Sequence, residues 1–294
     1  MNYDKNYFKN MIPKRPENSH KGMFGHVLNI AGSRFYTGAA YFSSISALKV
    51  GCGLVTLASE AAALQAAASL APDIILFPVE KINTEFLKRF QAISIGCGLS
   101  TEKKAVKIFK KTIKLLKDLS IPVIIDADGL NILSGIKNSK LPQNIILTPH
   151  PKEMSRLIGV NSEEILKNPE HYVKECSKKY KCTTVLKLHK TLVADNRGNF
   201  YENTTGNSAL SHGGSGDVLC GMISGFLAGV NVGPEVNGGK CGGVNAFEAC
   251  VLGVFLHGLT AEKASQDLTE YSTLASDLIN YIPNAIKELI DTAT

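Results

Sequence analysis

The chain has seven cysteines, at Cys52, Cys97, Cys176, Cys182, Cys220, Cys241 and Cys250, yet no two form a Cys-x-x-Cys pair. An odd number without zinc spacing speaks against a disulfide framework and for free thiols packed in a core, in a reducing compartment. The first fifteen residues are polar, include Asp4 and lack the apolar core of a signal peptide. No uninterrupted apolar run reaches the roughly eighteen residues of a spanning helix. A soluble, cytoplasmic protein is expected. No internal repeat is evident. No Lys-Ser or Lys-Thr follows a glycine cluster, which excludes a Walker phosphate loop.

What is present suits a large core: 294 residues, 44% of them hydrophobic. One domain over residues 1–294 is expected. The net charge of +6 is largely local. Lys103, Lys104, Lys107, Lys110, Lys111, Lys114 and Lys117 recur at helical spacing. They read as a solvated helix face, because no interleaved aromatics or nucleic-acid motif supports a nucleic-acid surface.

Short apolar runs alternate with helical patterns. Val27–Ala31, Leu54–Ala58, Ala92–Ile95, Pro122–Asp126, Ile145–Thr148 and Thr183–Lys187 read as buried strands. Thr191–Ala194 and Phe200–Tyr201 read as a hairpin around Asp195–Asn199. Helices are expected over Gly38–Val50, Ala61–Leu70 and Val218–Val230, and a flexible loop over the Gly-rich Asn231–Asn245. Continuous apolar strands separated by helices predict an α/β fold of three layers, α/β/α, with a mostly parallel central sheet. Ligands bind such sheets at the carboxyl ends of the strands, where the polar and glycine-rich segments fall.

Gly213-Gly214-Ser215-Gly216-Asp217 opens a helix. Its glycines expose backbone N–H groups beside the positive helix end, which suits a phosphate or a developing oxyanion. Asp217 falls in the first turn, where a carboxylate can take a hydroxyl proton or simply cap the helix. Lys187-Leu188-His189-Lys190-Thr191 follows a strand and offers lysines to phosphate or merely to solvent. His150, between Pro149 and Pro151 with Glu153 beyond, is held extended and can meet a substrate; no second histidine or cysteine has the spacing of a metal site. Asp126 and Asp128 can order water, Mg²⁺ or a hydroxyl, or cap and turn the chain. The small residues of Gly32-Ser33, Gly38-Ala39-Ala40 and Gly96-Cys97-Gly98-Leu99 admit a flat ligand or tighten packing.

In this order these segments resemble the NAD(P)H-hydrate dehydratases of the ribokinase-like superfamily, from about residue 15 to 290. His20-Lys21-Gly22, Gly51-x-Gly53-Leu54-Val55-Thr56 and Asn203-x-x-Gly206-Asn207 complete the match. The resemblance implies a ribokinase-like fold. It also implies a reaction: the hydroxyl of the S-epimer of hydrated NADH or NADPH is phosphorylated by ADP (or ATP), and phosphate then leaves to restore NAD(P)H. Stand-alone bacterial members resemble the ADP type, so AMP and phosphate are the expected co-products, with Mg²⁺ on the nucleotide. Carried over by position, Asp217 is the base; Ala40, Gly98, His150 and Asp217 meet the substrate; Lys187, Leu188, His189, Lys190, Thr191 and Gly216 meet the nucleotide. A homo-oligomer, a tetramer, is implied, without the epimerase domain often fused ahead. Leu188 and Ser100 stand where glycine is usual, and Ser215 where threonine is. Two rivals share these signals: a ribokinase-like kinase of a hydroxyethylthiazole or pyridoxine type, and a non-catalytic nucleotide sensor. The Thr148-Pro149-His150-Pro151 loop and the Gly32-Ser33 loop speak against the first, and Asp217 against the second.

Overall fold

The computed structural model describes residues 3–136, 141–230, 235–236, 239–240 and 245–291. Nine strands form one sheet: β1 (His26–Ile30), β2 (Leu54–Ser59), β3 (Ile75–Pro78), β4 (Ala92–Ile95), β5 (Val123–Ile125), β6 (Ile145–Leu147), β7 (Thr183–Leu186), β8 (Leu192–Ala194) and β9 (Phe200–Glu202). Their order is β3-β2-β1-β4-β5-β6-β7-β8-β9. The first seven run parallel, and β8 and β9 add an antiparallel edge. β3 escapes a reading of buried runs because it is a short edge strand ending in proline, with Ile75 and Leu76 exposed.

The strand pleat divides the core in two. Val27, Val55, Leu57, Ile124, Ile146, Val185 and Val193 point to one face. There they meet the helices Thr37–Lys49, Ser215–Val230, Ala246–Ser272 and Ala275–Asp291. Leu28, Ile30, Ile93, Ile95, Val123, Ile125, Leu147 and Leu186 point to the other. That face packs on the helices Lys103–Leu116, Asp128–Ser134, Pro151–Ile158 and Pro169–Tyr180. Apolar residues fill both sides of each central strand, as a sheet covered on both faces requires. The architecture is therefore the expected three-layer α/β/α fold.

The lysine-rich helix behaves as an amphipathic element. Its six lysines and the Lys117 that caps it are exposed while Ala105, Phe109, Ile113 and Leu116 are buried. All six cysteines among the described residues are free and buried; Cys241 lies outside them. Most of the Gly-rich Asn231–Asn245 segment also lies outside them, apart from Glu235–Val236, which pairs antiparallel with Gly239–Lys240. Among the described residues no helix is long and apolar enough to cross a membrane.

Two features position the site. The chain leaves β1 toward β2 and β3 on one side, then returns to place β4 on the other. This order reversal opens a crevice between the carboxyl ends of β1 and β4. Across it the Gly32 amide donates to the Cys97 carbonyl at 2.7 Å. The second feature is the close crossing of the helices Thr37–Lys49 and Ser215–Val230. A Cβ at Gly221 would overlap the Ser43 carbonyl and approach Ser46 Cβ at 2.9 Å. Only a residue without a side chain allows this approach, which sets the depth of the following site. Gly221→Ala is expected to destabilise the fold by roughly 1–3 kcal/mol, as overpacking does, read as a lower urea midpoint; an unchanged midpoint would refute the close-approach argument.

Candidate active site

The carboxyl ends of β1, β4, β5, β6 and β7 converge, and hydrogen bonds extend the sheet ladder into their loops. Gly96 N donates to Ile30 O, Asp126 N to Ile95 O, Thr148 N to Ile125 O, and Lys187 N to Pro149 O. Residues far apart in sequence therefore become neighbours. Gly96 must be glycine here: its φ is 131°, and a Cβ would strike the Asp126 carbonyl.

At the centre lies a buried ion pair. Lys187 Nζ donates to Asp126 Oδ1 at 2.7 Å and sits 3.9 Å from Glu153 Oε2. Asp126 is 1% exposed. Burial pushes the Lys187 ammonium toward neutrality, but Asp126 and Glu153 more than offset this and hold it charged. Burial also raises Glu153 to about 7, against the opposing pull of Lys187. Asp126 Oδ1 accepts the Ala127 amide as well, and its Oδ2 faces the Cys97 thiol at 3.8 Å. Ala127 holds φ 48°, ψ −118°, a strained backbone for a residue with a Cβ.

The Gly213–Asp217 turn joins this pair from the opposite wall. The helix begins at Ser215, and Asp217 lies in its first turn as expected. A Cβ at Gly216 would lie 3.5 Å from Lys187 Nζ, so the glycine leaves the ammonium open to a ligand on the helix end. Burial raises Asp217 to about 6, and Asp126 adds to the rise; the Cys97 thiol, which donates to Asp217, and Lys187 oppose it. Asp217 is thus a largely buried carboxyl able to hold or release a proton near neutrality.

His150 caps the helix Pro151–Ile158. Its Nδ1 accepts the Lys152 and Glu153 amides at 3.1 and 3.4 Å, while Glu153 Oε2 accepts the His150 amide at 2.8 Å. The proline after it therefore opens a helix instead of extending the loop. Burial, with Lys187 beside it, lowers His150; because Nδ1 accepts two amides, the neutral ring carries its proton on Nε2, 3.4 Å from Glu153 Oε1. Gly98, with φ 60°, packs 2.7 Å from Ala39 Cβ when given a Cβ. Ala40 itself is fully buried, against the open face of Gly32, while Gly38 and Ala39 keep partial exposure.

Lys187–Thr191 forms the turn from β7 to β8, closed by Thr191 Oγ1 donating to Leu188 O at 3.1 Å. Of its two lysines only Lys187 enters the cluster; Lys190 pairs with Glu202 at the surface, 3.4 Å away. Leu188 and Ser100 occupy usual glycine positions with different consequences. Ser100 takes a left-handed φ of 68°, and its amide donates to Asp128 Oδ2 at 2.8 Å. Leu188 needs no such backbone, because the positive-φ residues other than glycine are Ser100, Ala127, Lys181 and Thr269 among the described residues.

One participant had no sequence signal. His257, in the middle of the helix Ala246–Ser272, lies 3.3 Å from Ser215 Oγ and supports the glycine turn from behind. The Asn203-x-x-Gly206-Asn207 motif of the sequence match lies on the same helix: Thr205 Oγ1 donates to Phe255 O, Gly206 N to Glu262, and Asn207 to Ser265, each at 2.7 Å. A groove of about 1080 Å³ beside the turn is lined by Asn207, Ser211, His212, Glu262 and Gln266 among others.

A sequence model of NAD(P)H-hydrate dehydratases matches residues 27–284. The chain belongs to that family. It is 34% identical to the ADP-dependent (S)-NAD(P)H-hydrate dehydratase of Neisseria meningitidis, over 87% of this chain and 82% of that one. The solved ADP/ATP-dependent NAD(P)H-hydrate dehydratase of Bacillus subtilis, co-crystallised with ATP/Mg²⁺, superposes with a TM-score of 0.84 at 28% identity, covering 98% of each chain. A bifunctional NAD(P)H-hydrate repair enzyme of Moorella thermoacetica is 30% identical over 96% of this chain, which spans 53% of its length. The chain thus covers about half of such bifunctional relatives.

His257 makes the support of the turn sensitive to acid. Burial lowers it to about 4 from 6.5, so it is neutral in the fold and gains a proton on unfolding below pH 6.5. Stability is then full above 6.5 and falls as pH drops toward 4, by an amount on the order of 3 kcal/mol. Urea unfolding of His257→Gln across this range is expected to show a shallower acid loss than the unsubstituted chain. Parallel curves would remove His257 from that role.

Proposed function

We propose that this protein restores NAD(P)H from its hydrate, dehydrating the S-epimer at the expense of ADP and releasing AMP and phosphate. One observation carries the reading: Lys187, Gly216 and Asp217 converge at the start of one helix. A phosphoryl group needs the ammonium and the backbone amides; the hydroxyl that attacks it needs the carboxylate. The family membership and the relatives' printed activities support the substrate.

In this reading the hydrated ring enters beside Gly98 and His150, near the Gly38–Ala40 segment. His150, held by two amides on Nδ1 and by Glu153 on Nε2, forms a fixed wall that orients it. Asp217 takes the ring hydroxyl's proton as that oxygen attacks the terminal phosphorus of ADP and the bond to AMP breaks. Amides of the Gly213–Gly216 turn and Lys187 Nζ hold the charge on the moving oxygens. Phosphate then departs from the ring carbon, a neighbouring carbon loses a proton, and the double bond returns. Hydroxide is a poor leaving group and phosphate a good one, which is why the nucleotide is consumed. The adenosine portion of the nucleotide lies along Lys187–Thr191 toward the groove at His212. The rigid Asp126–Lys187 pair and the closed Leu188–Thr191 turn support positioning as the main contribution.

A magnesium ion carried by the nucleotide would supply charge neutralisation at the transferring phosphate. Hard oxygen donors fit it: the carboxylates of Asp126, Asp128 and Glu153, each with one oxygen accepting a backbone amide. One domain over residues 1–294 is supported by a single sheet with helices from both chain ends on one face. The family resemblance supports a homotetramer, which light scattering on a sizing column tests, and the buried free thiols support a cytoplasmic setting.

Purified protein with hydrated NADH, Mg²⁺ and ADP is expected to recover the reduced-nicotinamide absorbance, with ATP run as a separate arm. No recovery with either nucleotide would end the dehydratase reading; a stable phosphoester would favour a small-molecule kinase. Asp217→Asn is expected to bind nucleotide yet lose roughly 10²–10⁴-fold in kcat. Because Asp217 is raised to about 6, kcat/KM is expected to rise through that pH as the base ionises. Full turnover by the variant would assign the base elsewhere.

A further inference from the structure

Beneath Asp217, the floor of the site holds donors that proton abstraction and phosphoryl transfer do not use. Cys97 Sγ, Cys220 Sγ and an Asp126 carboxylate oxygen all lie within 4.8 Å of one another. The three residues are at most 1% exposed. They come from three elements: the loop after β4, the second turn of the helix Ser215–Val230, and the end of β5. Cys97 is fixed between two left-handed glycines, Gly96 and Gly98. Asp126 keeps Oδ1 on Lys187 and turns Oδ2 to Cys97 at 3.8 Å. The Cys97 thiol also reaches the Asp217 carboxyl.

Zinc in a tetrahedral site stands about 2.3 Å from thiolate sulfur and about 2.1 Å from carboxylate oxygen, so its ligand atoms are roughly 3.5–4 Å apart. The cluster already has nearly that spacing. We propose that Cys97, Cys220 and Asp126 form a binding site for a thiophilic divalent cation such as zinc, with Asp217 as the fourth ligand. Two S–H bonds break, two metal–sulfur bonds form and two protons pass to solvent; Asp126 Oδ2 and an Asp217 oxygen donate lone pairs, and no group is oxidised. Two thiolates select a soft cation over magnesium, which keeps to oxygen. The Lys187 ammonium works against any cation here, and the four negative ligands outweigh it. Occupancy takes Asp217 from the substrate, so a zinc-loaded site is a switched-off site. That last consequence rests on Asp217 being the base; the binding itself does not.

The test is titration of the reduced full-length protein with Cd²⁺, whose thiolate complexes absorb in the ultraviolet. One ion per chain is expected, with a thiolate-to-cadmium band, release of about two protons, and displacement by Zn²⁺. Cys97→Ala and Cys220→Ala are each expected to weaken binding at least about tenfold and diminish the band. Cys97→Ser and Cys220→Ser preserve side-chain volume and are expected to lose it equally, should the alanine variants fold poorly. A band that persists in the Cys97→Ser/Cys220→Ser double variant would assign the metal to the other cysteines and overturn the site, as would no band in the unsubstituted protein. In the dehydration assay, Zn²⁺ is expected to suppress turnover and a zinc-selective chelator that spares Mg²⁺ to restore it. An intact band without inhibition, where Asp217→Asn has lost turnover, would leave the thiol site standing but overturn Asp217 as its fourth ligand.

Discussion

The site depends on one buried ion pair. Moving a lysine and an aspartate out of water costs several kcal/mol for each charge, and their attraction repays this only with good geometry and further hydrogen bonds. Here Lys187 and Asp126 meet at 2.7 Å, Asp126 takes a backbone amide, and Glu153 stands on the other side of the ammonium. The pair locks the ends of β5 and β7 at a fixed separation. It also keeps a positive charge at the start of the helix that carries Gly216 and Asp217. Two acidic neighbours, Glu153 and Asp217, are pushed toward neutrality in the same setting. One low-dielectric pocket thus sets a cation and a carboxyl of raised pKa side by side.

Rigidity around the pair comes from both layers of helices. On one, His257 and the Asn203–Asn207 segment tie the glycine turn to the long helix Ala246–Ser272. On the other, the capping box of His150 and Glu153 fixes the helix that faces Lys187. Strain gathers in the same place: Ala127 and Ser100 hold left-handed backbone within reach of Asp126 and Asp128. Such strain persists only where the surroundings over-determine the chain, and both residues serve to aim a carboxylate or receive one.

Much of this was legible beforehand because local rules carry it. Val27–Ala31, Ile145–Thr148 and Thr183–Lys187 announce buried parallel strands by composition. Gly213–Asp217 announces a ligand-ready helix start by its lack of side chains. β3 went unseen because its exposed edge residues break the buried pattern, and the helix at Pro151 because proline signals an extended chain and a helix start alike. His257 was invisible for another reason: a histidine in a long apolar helix has no mark until its neighbour, Ser215, is known. The two lysines of Lys187–Thr191 looked equivalent, and packing separated them.

By itself the sequence determined the layered α/β fold, the helix start at the glycine turn and the strand ends where a ligand is met, since each follows from the period of apolar residues and the conformational limits of glycine and proline. Only the tertiary structure decided which polar groups share a dielectric. Asp126 with Lys187, Cys97 with Cys220 and Cys97 with Asp217 are contacts between segments dozens of residues apart. Charge state, reach and metal affinity depend on those distances, and no local pattern encodes them.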